Sequence, residues 1–167
     1  MKHELKAINL RGVNCYLIKT KSGCVLIDTG FKRKRAKLEK ELAGAGCKPG
    51  DLKLIILTHG DSDHADNAAY LREKYGAKIA MHKDDAGMVE RGDMGWNRKA
   101  KADRMSLLFK IITRVAKAGK FATFKPDLYI DGTFDLSAYG LAAKILHLPG
   151  HSQGNIRGQV SRFQKSC

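Results

Sequence analysis

Leu54-Ile55-Ile56-Leu57-Thr58-His59-Gly60-Asp61-Ser62-Asp63-His64 decides the reading of this chain. The apolar run, with Leu52 ahead of it, is near-continuous rather than alternating, as expected of a strand buried on both faces of a sheet. It empties into a polar loop where His59, Asp61, Asp63 and His64 fall within six positions. Loops at strand ends are where layered α/β proteins gather ligand-binding groups. Imidazole nitrogen and carboxylate oxygen are donors that zinc and similar divalent ions accept. His59 and Asp61, two apart, share a face in an extended segment, and Asp63 and His64 fall at the turn into the next helix. One loop can therefore address two adjacent metal positions. Asp61, Ser62 and Asp63 are also helix N-cap types, but capping accounts for neither histidine.

A further histidine lies in Leu148-Pro149-Gly150-His151-Ser152, again after an apolar run, Leu141 to Leu148. Delivered by a neighbouring strand, His151 can close the first metal position. The 167 residues suffice for one domain with a real core, and a hydrophobic fraction of 43% excludes a disordered chain. No stretch approaches the roughly 20 apolar residues of a membrane span, and the segment Met1 to Leu5 has no apolar signal core. A cytoplasmic location is the expectation. Cys15, Cys24, Cys47 and Cys167 have no paired spacing and read as reduced thiols, with Cys167 exposed.

Charge is uneven. Against 17 acidic residues stand 31 Lys and Arg, a formal net charge of +14. Lys32, Arg33, Lys34, Arg35 and Lys37 form one cluster. Arg98, Lys99, Lys101, Arg104, Lys110, Arg114, Lys117, Lys120 and Lys125 form another. Such charge favours anionic partners, or else marks a solvated helix face. Aromatic residues make up 7%, which limits base stacking and counts against nucleic acid as the partner.

Residues 5 to 28 read as an opening β-meander, with strands at Val13–Ile18 and Cys24–Ile27. Helix formers fill 32–43, ended by Gly44 and Gly46. A helix is expected over Ala65–Tyr75 with Gly76 as its stop, a strand over Lys78–Met81 and a short helix over Asp84–Glu90. Met105, Leu108, Phe109, Ile112, Val115 and Ala116 recur at helical spacing. Leu128–Ile130 and Phe134–Leu136 suggest a hairpin around Asp131-Gly132, and Ala142–Leu148 a strand. The alternation fits an α/β (α+β) fold in which helices pack on a mixed sheet, in a single domain over 1–167. It does not fit a purely parallel, doubly wound one.

These residues resemble the metallo-β-lactamase fold superfamily of metallohydrolases, whose signature after a buried strand is H-x-H-x-D-H. His59-Gly60-Asp61-Ser62-Asp63-His64 matches it with Asp61 in the place of the second histidine, a form some members carry. Leu26-Ile27-Asp28-Thr29-Gly30 resembles the first motif, whose aspartate supports the site. Leu148-Pro149-Gly150-His151-Ser152, with Gly154, resembles the third. The resemblance implies an αββα sandwich with a basic helical insertion at about 91–125. It implies that His59, Asp61 and His151 bind one ion, that Asp63 and His64 bind a second, and that Asp63 also serves catalysis. Zinc is the first expectation, with manganese or iron as alternatives. The family's later bridging aspartate and final histidine have no counterpart after His151, where no acidic residue or histidine follows. The tail from Ile156 is basic and weakly patterned. The expectation is therefore a sandwich missing its C-terminal strands and helix, one ion rather than two, and a homo-oligomer covering the incomplete sheet.

The function implied is metal-dependent hydrolysis of an ester, thioester or phosphoester, by a hydroxide generated on the ion. A small-molecule substrate, anionic given the charge, is the expected partner. Two alternatives remain: a nuclease of the same superfamily acting on nucleic acid, and a catalytically weak chain that binds metal alone.

Overall fold

A computed structural model describes residues 3–94, 96, 123–150 and 152–160. Six strands form one sheet in simple chain order: β1 (Glu4–Asn9), β2 (Asn14–Thr20), β3 (Gly23–Ile27), β4 (Leu52–Ile56), β5 (Lys78–His82) and β6 (Leu128–Ile130). The first three are antiparallel, as two short turns allow. From β3 onward the pairing is parallel. Parallel neighbours need crossovers, and helices supply them. After β3 come a 3-10 turn (Lys32–Lys34) and α1 (Arg35–Gly44); after β4, α2 (Ser62–Ala65) and α3 (Ala68–Tyr75); after β5, α4 (Lys83–Arg91). A second sheet of three antiparallel strands holds β7 (Phe134–Asp135), β8 (Ala143–His147) and β9 (Ile156–Val160).

The central strand is buried on both faces through a local irregularity. Cys24 pairs with Leu52 and Val25 with Leu54, so Lys53 is an extra residue that bulges outward to solvent. Beyond the bulge, Ile55 and Leu57 join Leu38, Leu42, Leu71, Ala86 and Val89 of the helical layer. Leu54 and Ile56 face the other way, packing with Val25, Ala80 and Ile130 against Leu136, Leu141, Ala143, Ile145 and Ile156. Burying each such Leu or Ile fully contributes about 1.5–3 kcal/mol. The layers run helices, large sheet, small sheet, which is the mixed α/β arrangement expected.

Three expectations need correction. Leu128–Ile130 and Phe134–Leu136 do not form a hairpin: β6 lies parallel to β5, and β7 pairs with β8 in the other sheet. Asp131-Gly132 is the corner between sheets, with Gly132 at φ +78°. The helix expected over Ala65–Tyr75 is broken into α2 and α3 at Asp66-Asn67, because the Asn67 side chain is engaged elsewhere. The weakly patterned segment from Ile156 is a strand, β9, in register with β8 from Ala143↔Val160 to His147↔Ile156. The helix expected around Met105–Ala116 and most of the second basic cluster lie outside the described residues, as does Cys167. Cys15, Cys24 and Cys47 are free and buried. Among the described residues no helix is long and apolar enough to cross a membrane.

Ile55 is fully buried between β4 and the helices. Ile55→Ala is expected to destabilise the fold by about 2–5 kcal/mol, read as a lower urea midpoint at unchanged m-value. A loss under about 1 kcal/mol would show that this interface repacks freely and is not the core described.

Candidate metal centre

The site forms where β3 and β4 end side by side. Asp28 follows β3 and is 4% exposed. Its φ of +57° is left-handed, a conformation that costs a non-glycine residue energy and turns the carboxylate back over the strand ends. The amide of Asp28 donates to the Ile56 carbonyl at 2.9 Å, locking the turn to β4. Oδ1 of Asp28 accepts from the Thr58 amide at 2.9 Å, and Oδ2 lies 2.8 Å from the Thr58 hydroxyl. Oδ2 also accepts from His64 Nδ1 at 2.8 Å.

Protonation of the two rings follows from this network. The Thr58 hydroxyl donates to Asp28, so it accepts from His59 Nδ1 at 3.0 Å. Both imidazoles then carry hydrogen on Nδ1 and turn an Nε2 lone pair towards carboxylates. His59 Nε2 lies 3.3 Å from Asp61 Oδ2, and His64 Nε2 lies 3.5 Å from Asp63 Oδ2. Lone pairs of nitrogen and oxygen facing one another at those distances repel unless a cation or proton lies between them. An imidazole whose other nitrogen donates to a carboxylate is the usual state of a metal ligand. The donor set therefore fits a divalent ion. His64 also has a raised pKa. Burial alone would lower its pKa, but the hydrogen bond to Asp28, then the charges of Asp28, Asp63 and Asp61, outweigh it and raise it.

Of the residues expected from sequence, His59, Asp63 and His64 each place a ligand atom within 4.8 Å of the others. The His59 and His64 rings touch, with centroids 4.0 Å apart. Asp61 occupies the N-cap position of α2 yet makes no side-chain capping bond, and its carboxylate instead lies by His59. His151 lies outside the described residues. Ser152 and Gly154 beyond it are held by Asp85, a residue at 1% exposure. The Ser152 hydroxyl donates to Asp85 Oδ2 at 2.5 Å and the Gly154 amide to Oδ1 at 2.9 Å. A Cβ on Gly154 would lie 2.8 Å from Asp85 Cγ, so only glycine fits there.

Asn67 ties the first-motif turn to the ligand loop. It is fully buried, and its Nδ2 donates to the carbonyls of Thr29, Gly30 and Phe31 at 2.8–3.0 Å. Thr29 in turn donates to the His64 carbonyl through its amide at 2.7 Å and its hydroxyl at 2.8 Å. Neither Asp85 nor Asn67 was expected from sequence. Each acts through contacts with residues far away along the chain, which local pattern does not register. An open cleft of about 490 Å³ exposes the centre; Asn14, Tyr16, Asp63, Asn155 and Arg157 are on its walls.

The chain is similar to several known proteins. Residues 8–160 match the family model of the metallo-beta-lactamase superfamily. Human metallo-beta-lactamase domain-containing protein 1 is 43% identical over 56 residues, 34% of this chain and 21% of its own length. Hydroxyacylglutathione hydrolase GloC of Haemophilus influenzae is 28% identical over 161 residues, 93% of this chain and 65% of its own. The solved structure of BJP-1, a subclass B3 metallo-beta-lactamase of Bradyrhizobium japonicum, shares the fold with a TM-score of 0.71 at 22% identity. That likeness covers 98% of this chain and 56% of that one. The chain thus spans less than two thirds of each of these relatives.

Asp28→Asn keeps the size of the side chain but removes its charge. The substitution is expected to weaken zinc binding about 10–100-fold, measured by competition with a chromophoric chelator. Affinity within about twofold of the parent would show that Asp28 does not orient the ligands.

Proposed function

Because the chain belongs to the metallo-beta-lactamase superfamily, we propose that it is a metal-dependent hydrolase acting on a thioester, another carboxylic ester or a phosphoester. The observation that carries this reading is the pair of imidazole Nε2 atoms facing carboxylate oxygens at 3.3 and 3.5 Å in an open cleft. In this reading His59, Asp61 and His151 hold the first ion, and Asp63 and His64 hold a second, weaker one. Zinc suits the N/O donor set best, with manganese or iron as substitutes. The ion, when bound, supplies Lewis acidity and lowers the pKa of a water it holds.

The chain's own groups do the rest. Asp63, half-exposed on the cleft wall, would orient the attacking water as well as help to hold metal. Asp28 and Thr58 keep both imidazoles in one tautomer, so that each Nε2 would serve as a ligand to its own ion. Arg157 is exposed on the same cleft and suits an anionic group on the substrate, such as a carboxylate. The relative named a hydroxyacylglutathione hydrolase supports a thioester bearing carboxylates as the first substrate to try. The buried free cysteines suit a reducing compartment such as the cytoplasm.

Hydrolysis of a glutathione thioester is expected to stop on exhaustive chelation and to return with zinc or manganese. His59→Ala is expected to lose both the ion and the activity. Turnover that survives chelation contradicts this reading, as does a metal-loaded chain inert to thioesters, esters and phosphoesters alike. Arg157→Ala is expected to raise KM about tenfold for a carboxylate-bearing substrate with kcat little changed, the signature of a lost charge-assisted contact made equally in ground and transition states. An unchanged KM would take Arg157 out of substrate binding.

A further inference from the structure

A second histidine pair lies between the two sheets. His82 ends β5 and His147 ends β8. Ala80 before the one, and Ala143 and Ile145 before the other, belong to the apolar core between the sheets. By the two-residue alternation of a strand, these last positions continue that inner face. The chain places imidazoles there, and their rings stack with centroids 3.8 Å apart and planes 20° from parallel.

The hydrogen bonding of the pair is incomplete. His82 is 2% exposed. Its Nδ1 accepts from the Asp84 amide at 3.3 Å, and its Nε2 has no hydrogen-bond partner among the described residues. A buried polar atom left unmatched destabilises the fold unless something else satisfies it. The other tautomer turns Nδ1–H towards Asp84 Oδ2, 3.6 Å away, and leaves the Nε2 lone pair over. Either way one nitrogen of His82 lacks a partner. His147 has the opposite arrangement. Its Nε2 donates to the Gln153 carbonyl at 2.6 Å, which leaves Nδ1 with a lone pair. That is the state in which a ring nitrogen binds a metal, its other nitrogen being held by a backbone carbonyl. His82, Asp84 and His147 can each bring one ligand atom within 4.8 Å of the others.

We propose that His82, His147 and Asp84 form a separate cation site for a borderline transition ion such as zinc, nickel or copper(II). Two imidazoles and one carboxylate suit those ions and not calcium or magnesium, which favour oxygen-only ligands. Asp84 is partly exposed, so the ion enters from solvent along its side chain. The near-parallel rings set the strength of the site. Their in-plane lone pairs run side by side, and a shared ion requires the rings to splay. The site is therefore weaker than the centre around His59.

The test separates the two centres. The double variant His59→Ala/His64→Ala, dialysed against copper(II) and washed, is expected to retain about one equivalent by elemental analysis. Its electron paramagnetic resonance spectrum is expected to show nitrogen coupling from imidazole. Adding His147→Ala is expected to remove the ion and the coupling, with far-UV circular dichroism unchanged. Should that triple variant misfold, Asp84→Asn at the partly exposed carboxylate is expected to weaken copper binding several-fold in a folded protein. A double variant that holds no copper overturns the proposal, as does copper kept unchanged through both His147→Ala and Asp84→Asn. Failure of the first centre has a different signature: the wild-type chain and the double variant would then bind equal amounts.

Discussion

One buried carboxylate organises this protein. Asp28 is almost wholly removed from water, which is costly for an ionised group unless it is thoroughly hydrogen-bonded. It meets that cost with the amide and hydroxyl of Thr58 and the Nδ1 of His64. The same bonds do three things. They weld the end of β3 to the end of β4, fix the His64 tautomer, and through Thr58 fix that of His59. A left-handed backbone at Asp28 is tolerated because the surrounding bonds over-determine it. The placement of the two imidazoles is thus a consequence of how the strands end.

The remaining architecture holds that arrangement still. Asn67 breaks the helix after the ligand loop so that its side chain can bind three carbonyls of the first-motif turn. Gly60 lets α4 come close, since a Cβ there would lie 2.6 Å from Met88 Cβ. Asp85, in the first turn of α4, grips Ser152 and Gly154 and so ties the large sheet's helical layer to the loop after β8. The loops around the candidate centre are joined to one another by polar side chains. The apolar layers on either side of β4 supply the stability that allows such polar groups to be buried.

Much of this was legible in the sequence. The run Leu52 to Leu57 had to be a doubly buried strand, and the two histidines after it could not be explained by capping. The turn residues around Gly76 and the β2–β3 hairpin were equally local. What escaped was non-local. Leu128–Ile130 and Phe134–Leu136 carry a hairpin's composition, yet β5 and β8 outcompete each strand for the other. Ile156–Val160 has too little hydrophobic pattern to announce a strand, because one buried isoleucine and backbone pairing with β8 suffice to make it. His82 and His147 are 65 positions apart, and nothing in either neighbourhood reveals that their rings stack.

The central claim is that Asp28 and Thr58 hold two imidazoles ready for an ion. Diffraction at the zinc absorption edge from crystals grown with zinc tests it most directly. The account predicts an anomalous peak about 2.0–2.1 Å from His59 Nε2 or His64 Nε2, with the Asp28–His64 bond intact. Zinc bound through Nδ1 of either ring, or no zinc between these histidines and their carboxylates, would contradict it.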